Sequence, residues 1–229
     1  MSLRRVDGIV FDLDGTLVNI GGFVEWRKAY DEIVKYYLDE GCDPSVVNAY
    51  SANQLFNMLE LIYQHMCEEC GEEKASEIHD SVNAILVKYE KTGANSCILM
   101  EGCLDILDWL REKQIPLGIC TSNSRQSAET ALELQGIREY FQVIVGRTKE
   151  YSIKPDPAQL KKCFDDLKVD PRKGMMVGDS HKDIIAGKKL GAYTVGIPVY
   201  FTRIDLMKEA GVDVIIKNLS ELKGVIESL

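Results

Sequence analysis

The sequence predicts an α/β fold: a doubly wound parallel sheet, with an all-helical region inserted after its first strand. Three observations carry this expectation. From residue 102 onward, short apolar runs alternate with amphipathic helical stretches. Between residues 20 and 95 every apolar pattern has helical spacing. Ahead of both, an apolar run at residues 6–11 reads as a lone first strand. Repeated strand–helix–strand units with continuously apolar strands imply a parallel sheet covered by helices on both faces.

The elements follow in order. The first strand, 6–11, runs directly into Asp12. Phe23, Trp26, Tyr30, Ile33, Val34 and Tyr37 fall on one helical face, and Gly41 ends that helix. Asp43-Pro44 supplies a cap and a first-turn proline for the next helix. Leu55, Met58, Leu59, Ile62 and Met66 continue an apolar stripe from there to Gly71. Ile78, Val82, Ile85, Leu86 and Tyr89 mark a third helix, closed by Gly93. Helices at 104–113, 125–134, 158–167 and 182–190 then alternate with strands at 115–120, 141–145, 175–177 and 193–197. A strand at 212–216 and a helix at 219–226 close the chain. The expected division is a core of residues 1–19 and 96–229, with residues 20–95 as a helical domain.

At 45% hydrophobic residues the chain can bury a substantial core. Its 36 acidic residues outnumber its 27 Lys and Arg, for a net charge of -9. That balance disfavours a nucleic-acid backbone as partner and suits metabolites and metal ions, with a local positive pocket needed for small anions. No apolar stretch is long enough to cross a bilayer, so no membrane partner is expected. The opening MSLRRVDG lacks the apolar centre of a secretion signal. Seven scattered cysteines fit a reducing, cytoplasmic setting. Cys67 and Cys70, with His65 and His79 nearby, form a single CxxC near a helix end. A zinc site needs four converging ligands, so helix packing is the simpler reading.

In open α/β sheets ligands bind at the carboxyl ends of the strands. Four marked groups fall there: Asp12 and Asp14 in FDLDGTL; Thr121, Ser122 and Asn123 in CTSNS; Lys154 in KPDP; and Asp179 and Asp183 in GDSHKD. Taken singly, each reads as a turn or a helix cap. Together they fit phosphoryl transfer. Converging carboxylates repel one another unless a cation binds, and hard oxygen ligands suit Mg²⁺. A carboxylate is a workable nucleophile toward phosphorus. Lys154 would neutralise the transferring group, and the Thr121 hydroxyl with nearby N–H groups would hold its oxygens.

These motifs, in this order, resemble the haloacid dehalogenase (HAD) superfamily of phosphohydrolases over nearly the whole chain. The helical insert resembles that family's C1-type cap. KPDP fits the form common in the phosphoglycolate phosphatase-like and β-phosphoglucomutase-like branch. The resemblance implies a Rossmann-like core and a role for each motif residue. Asp12 would be the nucleophile, forming an aspartyl-phosphate, and a Mg²⁺ ligand. Asp14 would be the acid/base, its backbone carbonyl also a metal ligand. Asp179 would be the second carboxylate ligand, and Asp183 would support the metal. Thr121, Ser122, Asn123 and Lys154 would hold phosphate.

The implied activity is Mg²⁺-dependent hydrolysis of a small phosphorylated metabolite, of the phosphoglycolate or sugar-phosphate type, by a monomer or homodimer. A phosphomutase is the alternative within the family. Dehalogenases replace the second aspartate of the first motif, and Asp14 is present here. A non-turnover phospho-acceptor of the receiver type is the alternative from another class. The DxDGT spacing and the large insert disfavour it. In the insert, Glu25, Trp26 and Arg27 follow the first motif closely, and Arg27 is a candidate for an anionic group, with a solvent-facing helix start as the plainer reading. Phe23 and Trp26 are expected in the core. Asp14 poses a question: it must carry a proton near neutral pH, although a free aspartate titrates near ~3.9.

Overall fold

The structure is a computed structural model that describes residues 6–199 and 204–229. Residues 1–5, part of the stretch read above for a secretion signal, lie outside the described residues. Six strands form one parallel sheet: β1 (Gly8–Phe11), β2 (Leu117–Ser124), β3 (Val143–Arg147), β4 (Gly174–Gly178), β5 (Tyr193–Gly196) and β6 (Val214–Ile215). Their order is β3-β2-β1-β4-β5-β6. The chain winds outward from β1 through β2 and β3, then returns to the other flank of β1 with β4. The switch point of the sheet is therefore the carboxyl end of β1, the position at which open α/β sheets bind ligands.

Register fixes what meets there. Phe11 lies level with Ile119 of β2 and with Val177 of β4. The residues that follow, Asp12, Cys120-Thr121 and Gly178-Asp179, consequently lie side by side. The Asp12 N–H still donates to the Val177 carbonyl at 2.8 Å, so the ladder extends to the first aspartate.

Strand side chains alternate between faces. Ile9 and Phe11 pack into one apolar cluster with Ile106, Leu107 and Leu110 of α5 (Cys103–Glu112) and Ala128, Ala131 and Leu132 of α6 (Arg125–Leu134). Val10 packs into a second cluster with Leu160, Cys163 and Phe164 of α7 (Ala158–Leu167) and Ala186 of α8 (His181–Leu190). The doubly wound sheet expected from the alternating apolar runs is thus present. The helix at 125–134 and the helix at 158–167 fall where their spacing places them.

Between β1 and β2 lie α1 (Trp26–Asp39), α2 (Pro44–Val47), α3 (Leu55–Cys70) and α4 (Glu72–Ser96). They enclose their own cluster, with Ile33, Tyr37, Met58, Leu59, Ile62 and Leu86 fully or almost fully buried. The two ends of the insert do otherwise: Ile20, Val24 and Ala94 pack with the sheet's cluster.

Several expected boundaries move, each for a local reason. The helix begun at Asp43-Pro44 lasts one turn. Asp43 caps it by accepting from the Ser45 N–H at 2.7 Å, but the chain then breaks where the Tyr50 carbonyl takes the Tyr30 hydroxyl. Gln54 turns back onto the Ser51 N–H at 3.2 Å, and α3 begins after it. Strand β2 continues through Ser124 and so includes the TSN residues read as lying beyond it. The short α9 (Ile204–Glu209) was not expected, and the closing helix is a single 3-10 turn followed by α10 (Leu222–Glu227). Among the described residues no helix is long and apolar enough to cross a membrane.

Gly93 does not end its helix. It lies inside α4, where a Cβ would stand 2.4 Å from Val24 Cγ2 and 2.8 Å from the Ile20 carbonyl oxygen. The glycine is there for close approach between the two ends of the insert. Helix propensity alone would make Gly93→Ala stabilising by about 1 kcal/mol. The clash with backbone predicts the opposite sign, a loss of about 1–3 kcal/mol in urea denaturation. A gain in stability would show that the two segments do not pack this closely.

Candidate active site

Each chemistry-bearing side chain reaches the switch point from a different element. Asp12 follows β1. Lys154 comes from the β3–α7 loop and is only 3% exposed. Its ammonium lies 2.6 Å from Asp12 Oδ1 and 2.5 Å from Asp183 Oδ1, and donates to the Cys120 carbonyl at 2.7 Å. Asp183 is oriented by the start of α8, where its Oδ2 accepts from the Ser180 N–H at 3.0 Å and Ser180 Oγ accepts from the Lys182 N–H at 3.1 Å. This reciprocal cap needs Gly178, because a Cβ there would stand 2.4 Å from Asp183 Cγ.

Asp12, Asp179 and Asp183 bring one carboxylate oxygen each within 4.8 Å of one another. Three carboxylates face one ammonium, leaving two negative charges without compensation. The donor set is all oxygen, hard and doubly negative, and it fits a divalent cation of the Mg²⁺ type. Burial pushes Asp12 up to about 7 against the opposing pull of Lys154. Burial, with Asp12 and Asp183 adding to it, drives Asp179 well above the usual carboxylate range. Burial pulls Lys154 down, but Asp12 and Asp183 more than reverse this and the net shift is upward. The lysine is held charged by its partners.

Asp14 points elsewhere. Its Oδ1 accepts from the Gly21 N–H at 2.8 Å, at the entrance to the insert, and its side chain is not part of the three-carboxylate cluster. Trp26 Nε1 in turn donates to the Gly21 carbonyl at 3.0 Å and fixes that backbone. Burial pushes Asp14 up to about 6, against the N–H groups of Gly21, Ile20 and Gly15. Burial outweighs hydrogen bonding here, so the net shift of the Asp14 carboxyl is upward, toward neutral pH.

Thr121 and Asn123 are buried at 1% and 3% exposure. Thr121 Oγ1 accepts from the Asn123 N–H at 3.2 Å, and the Thr121 carbonyl accepts from Gln159 Nε2 at 2.8 Å. Asn123 Nδ2 is buried with no protein partner, a donor left free at the sheet edge. Ser122 is used through its backbone, its carbonyl accepting from Arg147 Nη1 at 2.7 Å.

That arginine leads to a network not anticipated from the sequence. Arg147, at the end of β3, pairs with Glu90 of α4 at 2.6 Å, with side chains 6% and 0% exposed. It also donates to Asn83 Oδ1 at 2.8 and 3.1 Å and lies over the Phe56 ring. Glu90 Oε2 accepts from the Ser124 N–H at 3.0 Å and from Ser127 Oγ at 3.2 Å. The end of β2 that carries Thr121 and Asn123 is therefore clamped by an ion pair with one half on the insert. The only sequence signals were an acid at the interior of an amphipathic helix and a basic residue ending a strand, and neither announces its partner.

Among the insert's side chains, the core placement expected of Phe23 is corrected, and the plainer reading of Arg27, a solvent-facing helix start, holds. Arg27 is 77% exposed and pairs with Asp31 one turn on, and Glu25 pairs with Lys28, so both face solvent. Phe23 is 42% exposed rather than in the core. Trp26 is half-buried, its ring edge-on to Phe56 at 5.8 Å. His65 pairs with Glu69 and His79 lies against the Tyr63 ring, while Cys67 and Cys70 are free thiols. Among the described residues these four belong to no metal-ligating cluster.

The sequence model of the haloacid dehalogenase-like hydrolases matches residues 9–197. The chain belongs to this family. Among curated relatives, the pyrophosphatase PpaX of Bacillus velezensis is 25% identical over 222 residues, covering 97% of each chain. Among solved structures, a predicted phosphoglycolate phosphatase from Haemophilus somnus superposes with a TM-score of 0.66 at 19% identity, covering 96% of this chain and 97% of that one. CbbY from Rhodobacter sphaeroides, solved with phosphate, gives 0.68 at 20% identity over 95% and 96%. At such identities the two structures speak for the fold. This hydrolase-family fold is the sheet and switch point described above.

Breaking the Glu90–Arg147 pair leaves a buried charge unpaired. Glu90→Ala is expected to destabilise the protein by about 3–5 kcal/mol in urea denaturation, and a paired replacement of both residues by apolar side chains by clearly less. Equal losses for the single and double variants would mean that the two charges are not coupled.

Proposed function

We propose that this protein is a Mg²⁺-dependent phosphatase of a small phosphorylated metabolite, working through a phosphorylated Asp12. The observation that carries the reading is the buried Asp12–Lys154–Asp183 triad beside Asp179 at the switch point. Lys154 occupies Oδ1 of Asp12 and leaves Oδ2 for attack on phosphorus. As the new O–P bond forms, the ester or anhydride P–O bond breaks and the leaving oxygen takes a proton from Asp14. Water then attacks the aspartyl-phosphate, Asp14 accepts its proton, and phosphate departs with Asp12 restored.

Thr121 Oγ1 and the free Asn123 Nδ2 would hold phosphoryl oxygens, and Lys154 would offset their charge. Ser122 would serve chiefly by its backbone. The cation would be held by Asp12, Asp179 and the Asp14 carbonyl, with Asp183 supporting, and would supply electrostatic stabilisation of the transferring group. Helices of residues 20–95 form the lid over a core of residues 1–19 and 96–229, closing on Asp14 through Gly21.

The relatives named pyrophosphatase support hydrolysis of a small phosphate compound. Seven free thiols, five of them buried, support a reducing, cytoplasmic setting.

With Mg²⁺ the purified protein is expected to hydrolyse p-nitrophenyl phosphate, and EDTA to abolish the activity. Asp12→Asn should lower kcat by at least about a thousandfold with an unchanged melting profile. Asp183→Asn should raise the Mg²⁺ concentration for half-maximal rate about 10–100-fold. Full turnover by Asp12→Asn, or by the chelated protein, would overturn the reading.

A further inference from the structure

The strand end that carries Thr121 and Asn123 is not held by the sheet alone. Register pairing of β2 with β1 runs only as far as Ile119, and pairing with β3 breaks between the Cys120/Val145 and Ser124/Arg147 pairs. Residues 121–123 therefore stand opposite Gly146 alone, as a bulge near the carboxyl end of the strand. Buried backbone groups in such a gap need partners from elsewhere. Side chains supply them. At the near end Gln159 of α7, itself wholly buried, donates to the Thr121 carbonyl at 2.8 Å. In the middle Arg147 donates to the Ser122 carbonyl at 2.7 Å. At the far end Glu90 of α4 accepts from the Ser124 N–H at 3.0 Å.

The last two anchors act as one unit. Arg147 Nη1 bridges the Ser122 carbonyl and Glu90 Oε1, at 2.7 and 2.6 Å. Glu90 Oε2 takes both the Ser124 N–H and the Ser127 hydroxyl. Its carboxylate thus closes the N-terminus of α6, where a negative charge is favoured. Asn123, whose Nδ2 has no protein partner, sits between Ser122 and Ser124 and has both chain neighbours fixed by this unit. Arg147 belongs to the core, but Glu90 belongs to the insert, on the helix that packs against β2 and α6. Hydrogen bonds weaken steeply with misalignment, so a donor keeps its aim only while the backbone beneath it is held.

We infer that Glu90 is a positioning residue for phosphate binding: from the insert, through Arg147 and Ser124, it fixes the backbone of residues 122–124 that aims Asn123. The inference rests on the phosphatase reading and adds a linkage to it. Phosphate binds tightly only while α4 is docked on β2 and α6. Bound phosphate in turn holds α4 there, because coupling between two equilibria is reciprocal. Glu90 takes no part in bond making.

The test measures binding of inorganic phosphate by calorimetry with Mg²⁺, apart from turnover, in wild type and two double variants. Glu90→Leu with Arg147→Met removes both anchors and, as an apolar pair, leaves no buried charge behind. Glu90→Gln with Arg147→Met also lacks the ion pair but keeps an acceptor for the Ser124 N–H. Loss of the acceptor of a buried N–H corresponds to about 10–100-fold in an equilibrium constant. The phosphate Kd should rise by that factor in the Glu90→Leu double variant, and the Glu90→Gln double variant should recover most of the loss. A residue that only stabilised the fold would leave the Kd unchanged in any variant that is folded at the assay temperature. A second measurement needs no variant: in wild type, saturating phosphate should slow amide hydrogen exchange in α4 around Glu90 as well as in residues 121–124. Equal phosphate affinity in wild type and both folded variants, equal loss in both variants, or no protection of α4 by phosphate overturns the inference and leaves the phosphatase reading intact. Tighter binding in the variants also overturns it, since Glu90 would then occupy the anion site rather than shape it. Wild type that neither binds phosphate nor hydrolyses any phosphate ester overturns the phosphatase reading, and the inference with it.

Discussion

A charged ammonium only 3% exposed is tolerated because two carboxylates and a carbonyl close around it. Lys154 draws Asp12 from β1, the Cys120 carbonyl from β2 and Asp183 from α8 onto one point. Four separate chain segments are thereby held to one geometry. The desolvation cost of such a group is several kcal/mol, and only complete pairing offsets it. The arrangement is accordingly all or nothing. Gly178 lets Asp183 tuck in, the Ser180 cap turns it, and the register of Phe11 with Ile119 and Val177 sets the level at which everything meets.

The same constraint separates two aspartates that stand two residues apart. Asp12 is held by the lysine and the acidic cluster, while Asp14 turns to the Gly21 N–H at the mouth of the insert. One acid belongs to the core and the other answers to the insert. The end of β2 that carries Thr121 and Asn123 is tied to the insert too, through Ser122, Arg147 and Glu90. Docking of the helical insert thus bears on both Asp14 and the end of β2 that carries Thr121 and Asn123.

Much of this could be read from the sequence because parallel sheets place their chemistry at strand ends. FDLDGTL, CTSNS, KPDP and GDSHKD each follow an apolar run, and the structure brings Asp12, Thr121, Lys154, Asp179 and Asp183 to one edge. What could not be read were pairings between distant, individually ordinary residues. Glu90 looks like any acid on an amphipathic helix, and its value comes from Arg147, 57 positions away. Gly93 looks like a helix stop because glycine usually is one, yet a tertiary contact with Ile20 and Val24 keeps it inside α4. Arg27 faces solvent beside Asp31, as the plainer reading of a helix start had it, whereas Phe23 looked like core from its helical spacing and is 42% exposed. The break before α3 had a usable signal in Ser51 and Gln54, and the six-residue α9 is too short for periodicity to reveal.

The central claim is that the carboxylate of Asp12 is where phosphorus goes. Mass spectrometry of peptides from acid-quenched protein, taken during turnover of a phosphate ester with Mg²⁺, tests it most directly. The account predicts a single phosphoryl group on the peptide containing Asp12, lost on treatment with hydroxylamine. Turnover with no phosphorylated peptide after rapid quenching, or with the phosphoryl group on another residue, would contradict it.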